Sequence, residues 1–290
     1  MIKYIKLLRI HQWLKNFFIF MPLFFSGQLF DFELLCSVIA AFFAFCFISS
    51  SVYCFNDILD VKLDRLHPIK QKRPVASGEI SQKTAYFFMF LCLILGFLIL
   101  IFTKAIPTLL LILGIYYVIN IAYCLLLKKI ALVDVFIVSF GFVLRIIAGG
   151  IATDIWLSHW IIIMTFLLAL FLALAKRRDD LVIYDRTKTL ARKNIRKYNF
   201  DFINSLLIIT ATITVISYIM YTISPEVVER FNSNYVYVTS LFVIAGVFRY
   251  LQIIFVHAKS DSPTMILIKD VPIQLCILGW IAAFGIIVYF

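Results

Sequence analysis

Nine times along this chain a run of about 20 apolar residues is closed off by a short polar break, and that rhythm constrains the fold more than any single motif. About 20 residues of helix cross the ~30 Å hydrocarbon core of a bilayer, and a lone segment in lipid has to satisfy its own backbone hydrogen bonds as a helix. The runs extend approximately from Trp13 to Phe30, Phe32 to Phe55, Thr84 to Thr103, Ile106 to Leu127, Ala131 to Ala152, His159 to Ala175, Phe202 to Ile223, Tyr235 to Val256 and Val271 to Phe290. The expected fold is therefore an all-α polytopic membrane protein with about nine transmembrane helices, forming a single transmembrane domain over residues 1–290.

Basic residues test that count. If the spans alternate in direction, all but four of the 27 Lys and Arg fall on the side of the N-terminus, the exceptions being Lys104, Arg145, Arg230 and Arg249. Such asymmetry places the N-terminus and both long polar loops in the cytoplasm, and a miscounted span would have scrambled it. It also accounts for the net charge of +11, so no nucleic-acid partner is implied. The six cysteines stand singly in apolar runs with no CxxC pair, as small buried hydrophobes do. The first run resembles a signal-peptide core, but no small-residue cleavage site follows around Ser26 to Gln28, so it reads as an uncleaved span.

A long charged interruption lies between the second and third runs, Asn56 to Gly78, NDILDVKLDRLHPIKQKRPVASG. On a helix, Asp57, Asp60 and Asp64 stand at i, i+3 and i+7 and share one face. Carboxylates that close repel one another, and Mg²⁺ relieves the repulsion by taking hard oxygen ligands, commonly carboxylates plus the oxygens of a bound phosphate. Diphosphate is the natural co-ligand. Arg65, His67, Lys70, Lys72 and Arg73 follow and can donate charge-assisted hydrogen bonds to the phosphoryl oxygens left over. The bland alternative is a solvated loop whose charges keep the flanking helices from sliding into lipid.

The pattern NDxxDxxxD followed by DRxHPxKxxRPxAxG resembles the first signature of the UbiA-type intramembrane prenyltransferases, and the HP and RP details are most similar to the decaprenyl-phosphate phosphoribosyltransferase branch. That resemblance implies helices around a central cavity open to the cytoplasm and laterally to lipid, with Asn56 beside the acids as a substrate ligand. It extends to the opening RIHQWLKN, where Arg9, Gln12, Trp13, Lys15 and Asn16 match a recurring motif. Lys15 and Asn16 thereby become active-site candidates, although a Trp with basic neighbours is also what an interfacial anchor requires. The stretch from Tyr123 to Gly150, with Lys128, Asp134 and Arg145, the residue Tyr198 and the Arg249-Tyr250 pair carry the likeness along most of the chain.

The second polar loop, Lys176 to Asn199, holds Asp179, Asp180 and Asp185 among nine Lys and Arg. Acids beside bases on a juxtamembrane helix are often surface pairs of little consequence. This loop follows the sixth run as the first follows the second, however, and it resembles the superfamily's second metal motif, DxxxD. Asp180 and Asp185 depart from that spacing and would diverge by ~140° on a continuous helix. The resemblance carries Asp180 to a metal role and, after it, Asp185 to a catalytic one. Within the runs, Asp134 and Arg145 lie eleven residues apart, three turns or ~16 Å along one face, and invite either a functional or an ion-pair reading. Arg249 and Gln252 at i, i+3 pose the same question.

Three functions remain. The first is Mg²⁺-dependent transfer of 5-phosphoribose from phosphoribosyl pyrophosphate to a polyprenyl phosphate; an ionised lipid phosphate is already a nucleophile, which suits a chain without a Ser/His or Cys/His constellation. The second keeps fold and metal but moves a polyprenyl group from its diphosphate to an aromatic acceptor such as 4-hydroxybenzoate. The third, a transporter, is disfavoured because the charges concentrate in cytoplasmic loops and no paired Gly/Pro-broken spans occur.

Overall fold

The computed structural model describes residues 2–66, 70–103, 105–187, 194–256 and 263–289. Among these there is helix and no strand. Eight helices have the length and apolarity to cross a bilayer. They match the second to ninth apolar runs to within a few residues at most ends. The chain falls into two compact units, residues 1–157 with 189–194, and residues 158–188 with 195–290.

The first unit opens with α1 (Ile2–Leu8), a 3₁₀ segment (Ile10–Phe20) and α2 (Met21–Phe25). Here the structure departs from expectation, since the first run is not one α-helix. A 3₁₀ helix rises ~2 Å per residue, so Ile10 to Phe25 still covers ~30 Å, the thickness one span requires. In 3₁₀ geometry side chains three apart eclipse. Trp13, Asn16 and Ile19 therefore form a row directed into the unit, with Asn16 and Ile19 buried. Gly149 makes the approach possible, because a Cβ there would strike the Ile19 carbonyl.

Behind this segment runs α3 (Phe32–Leu59), capped at its start by Asp31, whose carboxylate accepts from the backbone of Glu33 and Leu34. At 28 residues it rises ~42 Å, more than a bilayer requires, and the surplus carries Asn56 and Asp57. The short α4 (Val61–Arg65) continues after a break at Asp60. Then come α5 (Gln82–Leu98), α6 (Ile106–Leu125) and α7 (Val133–Thr153), all packed against α3 or its neighbours. Ile19, Phe45, Ile48, Leu113, Tyr116 and Leu144 centre one core, and Leu7, Cys54, Ile58 and Val75 centre a second beside the acids.

In the second unit α8 (His159–Thr187) and α9 (Phe200–Thr222) pack together, followed by α10 (Pro225–Phe231), α11 (Ser240–Phe255), α12 (Pro263–Lys269) and α13 (Val271–Tyr289). The sixth span does not end at Ala175. Its helix runs on through Lys176 and Asp185 to Thr187, so the first half of the expected polar loop is helical. Inside this unit the Tyr218 hydroxyl accepts from Trp280 Nε1 at 2.6 Å and meets Thr239 Oγ1 at 2.8 Å.

Candidate active site

Contrary to the expectation of one shared face, Asp57 and Asp64 share a partner while Asp60 faces another, and among the described residues no three Asp, Glu, His or Cys side chains are grouped so as to hold one metal ion. Asp60 sits at the junction of α3 and α4 with φ −92° and ψ 4°, while the i to i+4 bonds from Asp60 to Asn56 and from Asp64 to Asp60 carry helical winding across it. Asp57 and Asp64 are buried, and one nitrogen serves both: Arg73 Nη1 donates to Asp57 Oδ1 at 3.1 Å and to Asp64 Oδ2 at 2.7 Å. Arg9 forms a second ion pair with Asp57. It reaches there from a left-handed turn, φ 51°, with its guanidinium 4.9 Å from the Tyr53 ring centre. A non-glycine residue held in that conformation is backbone strain of the kind found at ligand clamps.

Asp60 turns to another partner. Lys128 Nζ donates to both of its oxygens, at 2.7 and 2.8 Å, and to Asn56 Oδ1 at 3.3 Å. This lysine comes from the 3₁₀ turn after α6, residues Leu127–Lys129, with half-buried Tyr123 near the end of α6. Three carboxylates are thus met by three cations from three distant parts of the chain. Burial pushes the Asp64 carboxyl above the usual carboxylate range, and Arg73 and Lys70 only partly pull it back. Asp57 Oδ2 is buried without a hydrogen-bond partner among the described residues. The orphaned carboxylate oxygen, the two further carboxylates and the Asn56 amide are hard-oxygen donors of the type Mg²⁺ takes, although among the described residues no three carboxylates are drawn together around one point.

Not every candidate joins the group. Arg65 is exposed, and its Nε donates to the Ala76 carbonyl at 3.0 Å, away from the acids. Lys70 lies in the short turn Lys70–Lys72, near enough to act on Asp64. His67 falls outside the described residues. Asp134 is fully buried near the start of α7.

Arg145 does not pair with Asp134. Its Nε donates to Asn16 Oδ1 at 2.7 Å, Nη1 to the Gly141 carbonyl at 2.6 Å and Nη2 to the Tyr116 hydroxyl at 3.0 Å. Asn16 in turn donates to Cys46 Sγ at 3.1 Å, and Trp13 Nε1 donates to Ser50 Oγ at 3.0 Å. These bonds fasten the 3₁₀ segment to α3 and α7. Two contributors escaped the sequence reading. Arg9 had a signal, its place in the opening motif; Tyr116 had none, being one aromatic among many.

In the second unit Asp180 pairs with Arg177 Nη1 at 2.5 Å, one turn away on α8, and both are buried. Asp185 lies further along the same continuous helix, which does not bring it onto the face of Asp180. Buried Asp179 lies near Tyr250, and Tyr198 is buried just before α9. Arg178 donates to Asn204 Oδ1 at 2.8 Å and to the Ile254 carbonyl at 2.9 Å. Arg249 bonds Gln252 at 2.8 Å and pairs with Asp270 at 2.8 Å, which answers the question of that i, i+3 pair with a tie inside this unit.

Comparison with known proteins gives a consistent result. The profile of the UbiA prenyltransferase family matches residues 17–268. A decaprenyl-phosphate phosphoribosyltransferase of Mycolicibacterium smegmatis is 31% identical over 99% of this chain and 92% of its own length. One of the same description from Mycobacterium tuberculosis is 30% identical over 99% of this chain and 94% of its own. Among solved structures, a UbiA homolog from Archaeoglobus fulgidus bound to DMAPP and Mg²⁺ superposes with a TM-score of 0.73 at 20% identity, covering 99% of each chain. That degree of identity speaks for the fold alone.

Proposed function

Because the chain belongs to the UbiA prenyltransferase family and is a multi-pass membrane enzyme of that type, we propose that it transfers 5-phosphoribose from phosphoribosyl pyrophosphate to a polyprenyl phosphate and releases diphosphate. The observation that carries the reading is the density of cations on the acids: Arg9, Arg73 and Lys128 each touch a carboxylate of the Asp57, Asp60 and Asp64 group. A prenyl transfer to an aromatic gathers one diphosphate. The phosphoribosyl reaction gathers a diphosphate, a 5-phosphate and a lipid phosphate, and needs more positive charge than a metal alone supplies. The curated relatives of matching length bear the phosphoribosyltransferase description.

Asp57, Asp60 and Asp64, with the Asn56 amide oxygen, would hold Mg²⁺, which when bound neutralises the charge developing on a leaving diphosphate. Arg9 and Arg73 pair with the carboxylates, and on donor binding their guanidinium groups turn to phosphoryl oxygens, which Arg takes in bidentate fashion. Lys128 likewise exchanges Asp60 for phosphate. The bond from ribose C1 to the diphosphate oxygen breaks with its electron pair leaving on diphosphate, and a lipid phosphate oxygen forms the new bond to C1. No proton has to move, since the acceptor is already ionised. Fixed cations aimed at the leaving group act where charge grows, which is how electrostatics lowers a barrier.

The positive-inside asymmetry puts this chemistry on the cytoplasmic face of the cell membrane. The test gives purified protein, Mg²⁺ and polyprenyl phosphate labelled phosphoribosyl pyrophosphate in one vessel, and prenyl diphosphate with 4-hydroxybenzoate in another. Label passing into an organic-extractable phosphoribosyl lipid supports the reading. A prenylated aromatic with no phosphoribosyl product overturns it.

A further inference from the structure

The acids account for Arg9, Arg73 and Lys128, but two cations set into the first unit, Arg145 and Lys15, pair with no acid among the described residues. Arg145 is buried inside α7, and its hydrogen-bond partners are all neutral: an amide oxygen, a backbone carbonyl and a phenol, with the rings of Phe45, Tyr116 and Phe142 centred 5.6, 4.9 and 5.3 Å from the guanidinium carbon. Oxygens and aromatic faces solvate a cation without cancelling its charge. Lys15 is half-buried and has no ion-pair or hydrogen-bond partner among the described residues. Its chain neighbour Asn16 accepts from Arg145 Nε, which holds Lys15 and Arg145 in the same part of the unit, where their like charges repel. Cations in an apolar setting without a counter-charge are unfavourable unless an anion joins them.

The scaffold keeps Lys15 there. Asn16, its neighbour, is locked between Arg145 and Cys46, and the 3₁₀ segment is pressed onto α7 at Gly149. From Arg9, which touches Asp57, to Lys15 is six residues, ~12 Å at 3₁₀ rise. What sets the Lys15 ammonium apart from Arg9, Arg73 and Lys128 is that none of the acids pairs with it among the described residues, while the few residues between Arg9 and Lys15 stay within the span of a small phosphorylated substrate.

We propose that Lys15, with the charge of Arg145 behind it, is a metal-independent site for a phosphate monoester, separate from the acid group that takes diphosphate. No carboxylate pairs with Lys15 among the described residues, so an anion bound there brings no divalent cation with it. A monoester carries about −1.5 to −2 charge near neutrality and matches two cations. Lysine holds phosphate as a point charge, without requiring the planar geometry of a guanidinium fork. The inference rests on the phosphoribosyl reading for its ligand class, since that reaction brings two monoesters, the donor's 5-phosphate and the lipid phosphate. The bland alternative is a lysine that stretches its stem along apolar surface to reach water.

Equilibrium binding to the full chain in nanodiscs, with EDTA present and no turnover, separates these. Ribose 5-phosphate is titrated in one arm and farnesyl phosphate in the other, and Mg²⁺ with inorganic diphosphate serves as the reference arm. Wild type should bind at least one monoester without metal. Lys15→Met and Lys15→Gln should weaken that monoester ~10- to 100-fold, Lys15→Arg should restore most of it, and Mg²⁺-diphosphate binding should change less than ~3-fold. The arm that loses affinity identifies the source of the phosphate. Wild type that binds neither monoester, variants with unchanged monoester affinity, or a loss equal in all three arms overturns the proposal. Because nothing is turned over, the result stands or falls apart from the transfer assay: Lys15-dependent monoester binding in a protein that makes no phosphoribosyl lipid would keep this site and remove the reaction.

Discussion

Two segments of this chain set carboxylates among arginines and lysines, and the pairs seen among the described residues differ in reach. Around Asp57, Asp60 and Asp64 two of the three cations come from afar, Arg9 lying 48 residues before Asp57 and Lys128 lying 68 after Asp60, while Arg73 lies nine after Asp64. On α8 Asp180 pairs with Arg177, three residues away on its own helix. A local pair forms wherever a helix carries the two charges at the right spacing, so it reports secondary structure. Long-range pairs that bring cations to acids at a helix break demand that several elements agree, and the polar groups they bury are costly unless something uses them. The first region is organised around charge for a purpose beyond holding its own helix.

The sharpest way to break this contrast is to neutralise the acids one at a time. Asp57→Asn and Asp64→Asn should each lower kcat by about 10³, since each removes a negative ligand at nearly constant shape, and rate assays with excess Mg²⁺ should not recover it. Activity in Asp57→Asn within ~3-fold of wild type would erase the distinction between the regions. Arg73→Gln should come next, with kcat/KM for the donor down ~100-fold, because one nitrogen serves two acids and, on the proposed reading, the donor's phosphate.

Smaller effects sharpen the comparison by separating stability from activity. Asp180→Asn removes the carboxylate from a buried pair and should destabilise the protein by roughly 3 kcal/mol, read as a drop in Tm. Asp60→Asn touches a pair whose side chains are 21% and 17% exposed, and should shift stability by about 1 kcal/mol or less while still costing activity. A larger Tm loss in Asp60→Asn than in Asp180→Asn would reverse the assignment of the two regions. Asp185→Asn should have the least effect on both, since an unbroken α8 turns it away from the face of Asp180.

Much of this arrangement was legible in the sequence, and the limits have physical causes. Eight helices could be read because a bilayer demands a minimum apolar length. The first run could not be read as 3₁₀, since that conformation depends on contacts such as Gly149 against the Ile19 carbonyl, which no local pattern reveals. The acids announced themselves by their spacing, but the break at Asp60, which sends it to Lys128 while Asp57 and Asp64 share Arg73, is a tertiary outcome. Arg65 stands next to Asp64 in sequence, yet its side chain turns to Ala76, because neighbours on a helix do not face each other. The ~140° divergence of Asp180 and Asp185 required only helical periodicity.

The central claim, that the first acidic region is the metal-diphosphate site, is tested most directly by counting bound Mn²⁺, a spectroscopic stand-in for Mg²⁺, on the full chain with and without inorganic diphosphate. Wild type should bind Mn²⁺ far more tightly when diphosphate is present, and Asp57→Asn should lose that enhancement while remaining folded. Diphosphate-enhanced Mn²⁺ binding that survives unchanged in Asp57→Asn would contradict the account.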